Sequence, residues 1–177
     1  MEALSATLNR DLVQDSGFEA ISFNGATLAM VIRASFLQDG IHFLTPDEFP
    51  QQLAVMGHPA GKIIGAHLHS RAPRLIERTQ EVLFIRRGRM RADIYSPDRR
   101  FLTSRILNAG NVIFLAAAGH GFEVLEDTSF IEVKQGPFMG DTEKARFASV
   151  PRGQGGDVDA SEFVHSELGE ASLDSRK

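Results

Sequence analysis

The chain of 177 residues has no cysteine, no tryptophan and one tyrosine, Tyr95. Without cysteine there can be no disulfide, thiolate metal site, iron–sulfur cluster or cysteine nucleophile. Any bound metal must be held by His, Asp, Glu, Gln or water. No apolar run approaches the ~20 residues that a membrane-spanning helix needs. The opening stretch MEALSATLNRDLVQDSGFEA lacks a basic segment followed by an apolar one, which predicts no secretory signal and a cytoplasmic location. Excess positive charge is lacking too. The net charge of −4, with no aromatics interleaved among Lys and Arg, argues against nucleic acid as the partner. The phosphate-binding pattern GxxxxGKS/T, a GxGxxG after a strand and the nucleophile pattern GxSxG are all absent.

What is present suits one folded domain. The chain is 42% hydrophobic and 24% charged, and its 13 phenylalanines, rings without a polar handle, belong in an interior. Composition divides it into three parts. Residues 1–16 are polar, with Leu4, Leu8 and Leu12 at helical spacing; a short amphipathic helix and a swapped arm both fit. Residues 17–148 carry nearly all the Phe, Ile and Val. Residues 149–177 are rich in Gly, Ser and acidic side chains, and the small apolar content predicts a mobile tail.

The middle part reads as all-β. TLAMVIRAS, KIIGAHLHS, EVLFIRR, RMRADIYS, FLTSRIL, NVIFLAAA and FIEVKQG are short and rich in β-branched or aromatic residues. Turn material separates them, including HPAG, SPDRR and NAGN. Gly88 stands between two strands of an expected hairpin. No helix-period stretch interrupts the series, which predicts a sandwich or a jelly-roll barrel.

Three points on these strands carry metal-binding chemistry. His67 and His69 close KIIGAHLHS, and strand alternation turns both imidazoles to one side. Glu81 opens TQEVLFIRRG on the face of Leu83 and Ile85, where an unpaired carboxylate is costly. His120 lies between Gly119 and Gly121, which free the backbone to expose the ring. Each alone has a bland reading: a solvated histidine pair, a strand-end carboxylate beside arginines, a loop histidine. Together they offer three nitrogens and one oxygen. That set suits a single divalent transition metal (Fe, Mn, Ni, Cu, Co or Zn), with octahedral positions left for substrate.

The surroundings supply further candidates. Residues 71–100 carry nine arginines against four acids. Arg74 and Arg78, between the ligand strands, are candidates for binding an anionic substrate through guanidinium forks, and a solvated surface is the alternative. In FIEVKQG one face must point inward. Glu132 with Lys134 would line the cavity with an acid–base pair; Ile131, Val133 and Gln135 would line it with apolar groups and one substrate-binding amide. Tyr95 shares a face with Asp93 and is a third candidate proton carrier, unless it is a core or rim tyrosine.

The arrangement Gly61…His67-x-His69…Glu81…Gly88 resembles the first motif of the cupins, and Gly110-Asn111-Val112…Gly119-His120 resembles the second. The likeness covers roughly residues 60–135. Two departures stand out: eleven residues separate His69 from Glu81, and Ala116 replaces the usual proline, with His120 one position early. The runs TQEVLFI, GHGFEVLED and IEVKQGPF, reaching back through IHFLTPDEFPQQ, are similar to cupins found among bacterial polysaccharide and sugar-nucleotide genes. The resemblance implies a small jelly-roll barrel, one metal on His67, His69, Glu81 and His120, a sugar-like small molecule as partner, and homodimers paired through edge strands. Isomerase or epimerase chemistry fits these residues best; an iron-dependent dioxygenase and a non-catalytic sugar-binding module are the alternatives.

Overall fold

A computed structural model describes residues 17–150 and the two-residue strand Val158–Asp159. The expected arm over 1–16 and most of the expected tail lie outside the described residues.

The strands are β1 (Phe18–Phe23), β2 (Ala26–Ile32), β3 (Gly40–Phe43), β4 (Ala54–Gly57), β5 (Glu81–Arg87), β6 (Arg89–Tyr95), β7 (Phe101–Asn108), β8 (Val112–Leu115), β9 (Gly119–Val124), β10 (Ser129–Lys134) and β11 (Val158–Asp159). A 3-10 turn, Gly140–Glu143, follows β10. The fold is all-β and its pairs are antiparallel. One sheet runs β1-β2-β8-β5-β10, the second β11-β7-β6-β9, and β3 with β4 forms a separate hairpin.

The two larger sheets pack face to face. Ile21, Ala29, Val31, Leu83, Ile85, Ile113 and Leu115 of the first meet Met90, Ala92, Ile94 and Leu107 of the second in one buried cluster. Each large aliphatic side chain buried there contributes about 2 kcal/mol of apolar transfer. The outer face of the first sheet is covered by the segment after β3, where Leu44, Phe49 and Leu53 pack on Met30, Val82 and Phe114. Thr45 braces that segment: its Oγ1 donates to Gln52 Oε1 (3.0 Å) and accepts from the Leu53 N–H (3.0 Å).

The sheets do not close into a barrel among the described residues. The edges of β9 and β10 each have one hydrogen-bonded neighbour there, β6 and β5. Two expectations change accordingly. KIIGAHLHS is not a strand: residues 62–76 have no regular structure and residues 58–78 are exposed throughout. Nothing local decides whether a strand-like sequence finds a partner edge, and this one has none. Gly88 does not join a hairpin either. It turns the chain from β5 in one sheet to β6 in the other, with φ of 81°. A Cβ there would come 2.3 Å from the Asp127 carbonyl oxygen, so the corner requires glycine. The SPDRR turn does form a hairpin, β6 to β7, closed by Ser96 N–H donating to the Arg100 carbonyl (2.9 Å).

Candidate acid–base site

Strand register decides which side chains enter the space between the sheets. On β5, Leu83 and Ile85 are core, so Glu81 shares their inner face. Opposite them on β10, Lys134 pairs with Glu81, Glu132 with Leu83 and Phe130 with Ile85. The face left open by sequence is therefore resolved: Glu132 and Lys134 point inward, while Ile131 and Val133 lie on the outer face. On the second sheet His120 pairs with Ile94, Phe122 with Ala92 and Val124 with Met90. Those partners are core residues, so His120, Phe122 and Val124 also face inward.

The two sheets thus bring four polar groups to one place. His120 Nε2 lies 3.2 Å from Glu81 Oε2, and Lys134 Nζ lies 3.9 Å from Glu81 Oε1 and 3.3 Å from Glu132 Oε1. His120 Nδ1 sits 3.3 Å from the Ala118 carbonyl oxygen, which orients the ring. The group stands at the unclosed side of the sandwich, beside apolar side chains that remain partly in water: Phe122 is 37%, Val124 60% and Phe130 41% exposed.

Charges follow from these contacts. The hydrogen bond from His120 holds the Glu81 carboxyl below its usual range, against the opposing effect of burial and with help from the His120 and Lys134 charges. The Glu132 hydrogen bond and charge hold Lys134 above the usual lysine range. The site therefore sets an ionised Glu81 and a protonated Lys134 side by side, with the His120 ring against Glu81 and Glu132 against Lys134.

The other expected site residues lie elsewhere. His67 and His69 sit in the exposed 58–78 segment, rings 5.2 Å apart, and His67 Nδ1 lies 2.9 Å from its own Gly65 carbonyl oxygen. Among the described residues no three His, Asp or Glu side chains group to hold a metal ion. One carboxylate oxygen facing one imidazole nitrogen is suitable ligand chemistry, but that is half of the expected set. As placed, the four residues do not fit one ion. Arg74 and Arg78 are exposed in the same segment, with Arg74 NH1 3.5 Å from the Ala72 carbonyl oxygen. Gln135 is engaged at both amide atoms: Oε1 accepts from the Gln80 N–H (2.7 Å) and Nε2 donates to Gln51 Oε1 (2.6 Å).

Tyr95 shares the outer face of its sheet with Asp93, away from Glu81 and His120. It is buried, its hydroxyl accepts from the Val150 N–H (3.0 Å), and its ring packs edge-on against Phe147 at 5.0 Å. Burial pushes its phenol up. It fastens the chain after β10 to the sheet instead of entering the cleft.

Sequence reasoning missed two features. The first is the row of apolar side chains on the inward face beside the polar group, Phe122, Val124 and Phe130; part of its signal is the alternation through GHGFEV. The second is an ion triad on the outer face of the second sheet. Arg91 and Asp93 are 2% and 3% exposed, joined by Nε to Oδ1 (2.7 Å) and NH2 to Oδ2 (3.1 Å), and Arg91 NH1 reaches Glu123 Oε2 at 2.9 Å. It ties β6 to β9, the strand that carries His120.

No helix among the described residues is long and apolar enough to cross a membrane. Comparison with family models, curated proteins and solved structures finds no match for the chain.

Proposed function

We propose that the chain is a cupin-type protein that binds a small polar, sugar-like or anionic molecule between its sheets and moves a proton on it, as an isomerase or epimerase does. The observation that carries this reading is the meeting of Glu81, His120, Lys134 and Glu132 from facing sheets beside Phe122 and Phe130. A polar cluster next to apolar rings suits a molecule with one hydroxylated edge and one apolar face.

The residues supply a proton path without any added group. Glu81 Oε2 is taken by His120, which leaves Oε1, 3.9 Å from Lys134 Nζ, to reach a ligand, and the carboxylate is ionised at neutral pH. It would remove the proton from a carbon next to a carbonyl. The electron pair of that C–H bond moves to the carbonyl oxygen, and the Lys134 ammonium stabilises the resulting negative charge. Glu81 then returns the proton to the former carbonyl carbon, while the hydroxyl proton of the carbon it left passes to the oxygen that took the electron pair, so the new carbonyl forms and the isomerisation is complete with atoms conserved; an epimerisation returns the proton to the same carbon after the bound intermediate has turned its other face to Glu81. His120 positions the carboxylate and steadies its charge. A lowered carboxyl pKa makes a weak base, so the substrate must have an acidified C–H, as sugars with a carbonyl do. No step here runs through a metal, because the four expected ligands do not fit one ion as placed.

The test is proton wash-in. Incubating the protein in D2O with a panel of ketoses, aldoses and their phosphates is expected to place deuterium next to the carbonyl of at least one compound. Glu81→Gln is expected to abolish it, and amide chemical shifts should move around His120 and Lys134. Absence of both deuterium and cleft-centred shifts across the panel would contradict the reading.

A further inference from the structure

Glu81 and His120 meet across a gap that no strand pairing spans. Glu81 opens β5 in one sheet, His120 stands near the start of β9 in the other, and β5 and β9 share no ladder. At 3.2 Å the contact has little margin, because a few tenths of an ångström more would end the hydrogen bond. Side-chain packing between the sheets is thin on this side, where Phe122 and Val124 remain 37% and 60% exposed.

The chain after β10 crosses that gap. Its 3-10 turn ends at Glu143, whose Oε1 accepts from Thr79 Oγ1, two residues ahead of Glu81. Lys144 then leaves the turn in an extended conformation, with φ −108° and ψ 118°. Phe147 lands on the other sheet. Its ring packs edge-on against Tyr95 at 5.0 Å, and a Cβ on Gly119 would meet it at 3.1 Å, so the ring fills the space that glycine leaves beside His120. The Val150 N–H on the Tyr95 hydroxyl (3.0 Å) and the Arg99 guanidinium 6.0 Å from the Phe147 ring centroid secure that end. Four residue steps separate the two anchors and reach at most about 14 Å. Facing sheets stand about 10 Å apart, so the span has little slack.

We propose that residues 143–147 are a brace that sets the distance between Glu81 and His120, with Glu143 and Phe147 as positioning residues. One end grips the chain two residues before Glu81, and the other rests on the residue before His120. A slip of one sheet past the other at this end therefore strains the brace before it opens the pair. The brace also carries Lys144, whose charge adds to the effects that hold the Glu81 carboxyl low. This inference rests on the Glu81–His120 pairing from which the proposed function starts. It adds that the pairing is maintained from outside the cleft, by side chains that transfer no proton.

Four variants test it. Thr79→Val removes the hydroxyl at nearly constant shape, and Thr79→Ser keeps it. Phe147→Ala removes the ring. Arg146→Ala changes an exposed side chain on the brace itself, whose contact is with Asp141 at 3.1 Å. Thr79 and Phe147 are half-buried and outside the core clusters, so the sandwich keeps its packing. The readout is the His120 ring 15N spectrum at neutral pH, without ligand. Thr79→Val and Phe147→Ala are expected to move the Nε2 resonance in the direction in which Glu81→Gln moves it, while Thr79→Ser and Arg146→Ala leave it in place. Amide signals of β2 should stay put in all four, which separates loss of the brace from general loosening. If Glu81→Gln moves the resonance and Thr79→Val and Phe147→Ala do not, the brace is overturned and the acid–base pair stands. If Glu81→Gln moves nothing, the pairing falls and the brace with it. Equal shifts in Thr79→Ser or Arg146→Ala, or β2 amides that move as well, would also overturn the proposal, since the effect would not run through the Thr79–Glu143 contact.

Discussion

Replacing Asp93 by Ala would leave Arg91 buried without the carboxylate that grips it at two points. Arg91 is 2% exposed and makes a two-pronged contact with Asp93, at 2.7 and 3.1 Å, and a further contact with Glu123 at 2.9 Å. Removing one partner of a buried pair typically costs 3–5 kcal/mol, because the remaining charge has lost its compensation. Glu123 stays in place and moderates the loss, so about 3 kcal/mol is the expected cost of Asp93→Ala. With a urea slope of about 2 kcal/mol/M for a domain of this size, the midpoint should fall by about 1.5 M. Thermal unfolding should shift down by about 10 °C. The paired replacement Arg91→Met with Asp93→Leu removes both charges and fills the space, and should lie within about 1 kcal/mol of the native protein. Urea unfolding followed by circular dichroism reads all three. A loss under about 1 kcal/mol for Asp93→Ala would refute the reasoning, since Arg91 would then be reaching water.

Two further outcomes follow from the same structure. Glu81 is held below its unfolded value of about 4.3, so its stabilising contribution is present above that pH and is lost as pH falls through the lower folded value; Glu81→Gln should be about 0.5 kcal/mol less stable at neutral pH, discounted for solvent screening, and should lose less stability on acidification, as read by denaturation between pH 2 and 7. Gly88→Ala puts a Cβ 2.3 Å from the Asp127 carbonyl oxygen at a φ of 81°, so it should cost at least about 2 kcal/mol in the same unfolding assay, and a smaller loss would show that the corner between sheets is not tight.

Much of the sheet content was legible because it is local. EVLFIRR and FIEVKQG alternate or cluster apolar residues at strand period, and they form β5 and β10. The candidate role of Glu81 was legible for the same reason: a carboxylate in register with Leu83 and Ile85 needs a partner, and it has His120 and Lys134. What was not legible depends on pairing between distant segments. The inward face of β10 is fixed by its register with β5, since Lys134 lies opposite Glu81, and no pattern inside FIEVKQG contains that information. Tyr95 and Ile94 are neighbours in sequence, yet only the pairing of Ile94 with His120 assigns one to the cleft and the other to the outer face. KIIGAHLHS has strand chemistry without a paired edge, because local preference supplies a willingness to pair and tertiary structure supplies the partner. The corner at Gly88 was misplaced because a single glycine between strands is compatible with a hairpin and with a change of sheet.

The site depends first on Glu81 and His120 meeting across the two sheets. The most direct measurement is the ring 15N resonances of His120 in native protein and in Glu81→Gln, assigned with His120→Gln and followed at neutral pH. The geometry predicts that losing the carboxylate 3.2 Å from Nε2 moves the His120 Nε2 resonance. A His120 ring signal that stays where it was would contradict the pairing, and with it the acid–base site built on it.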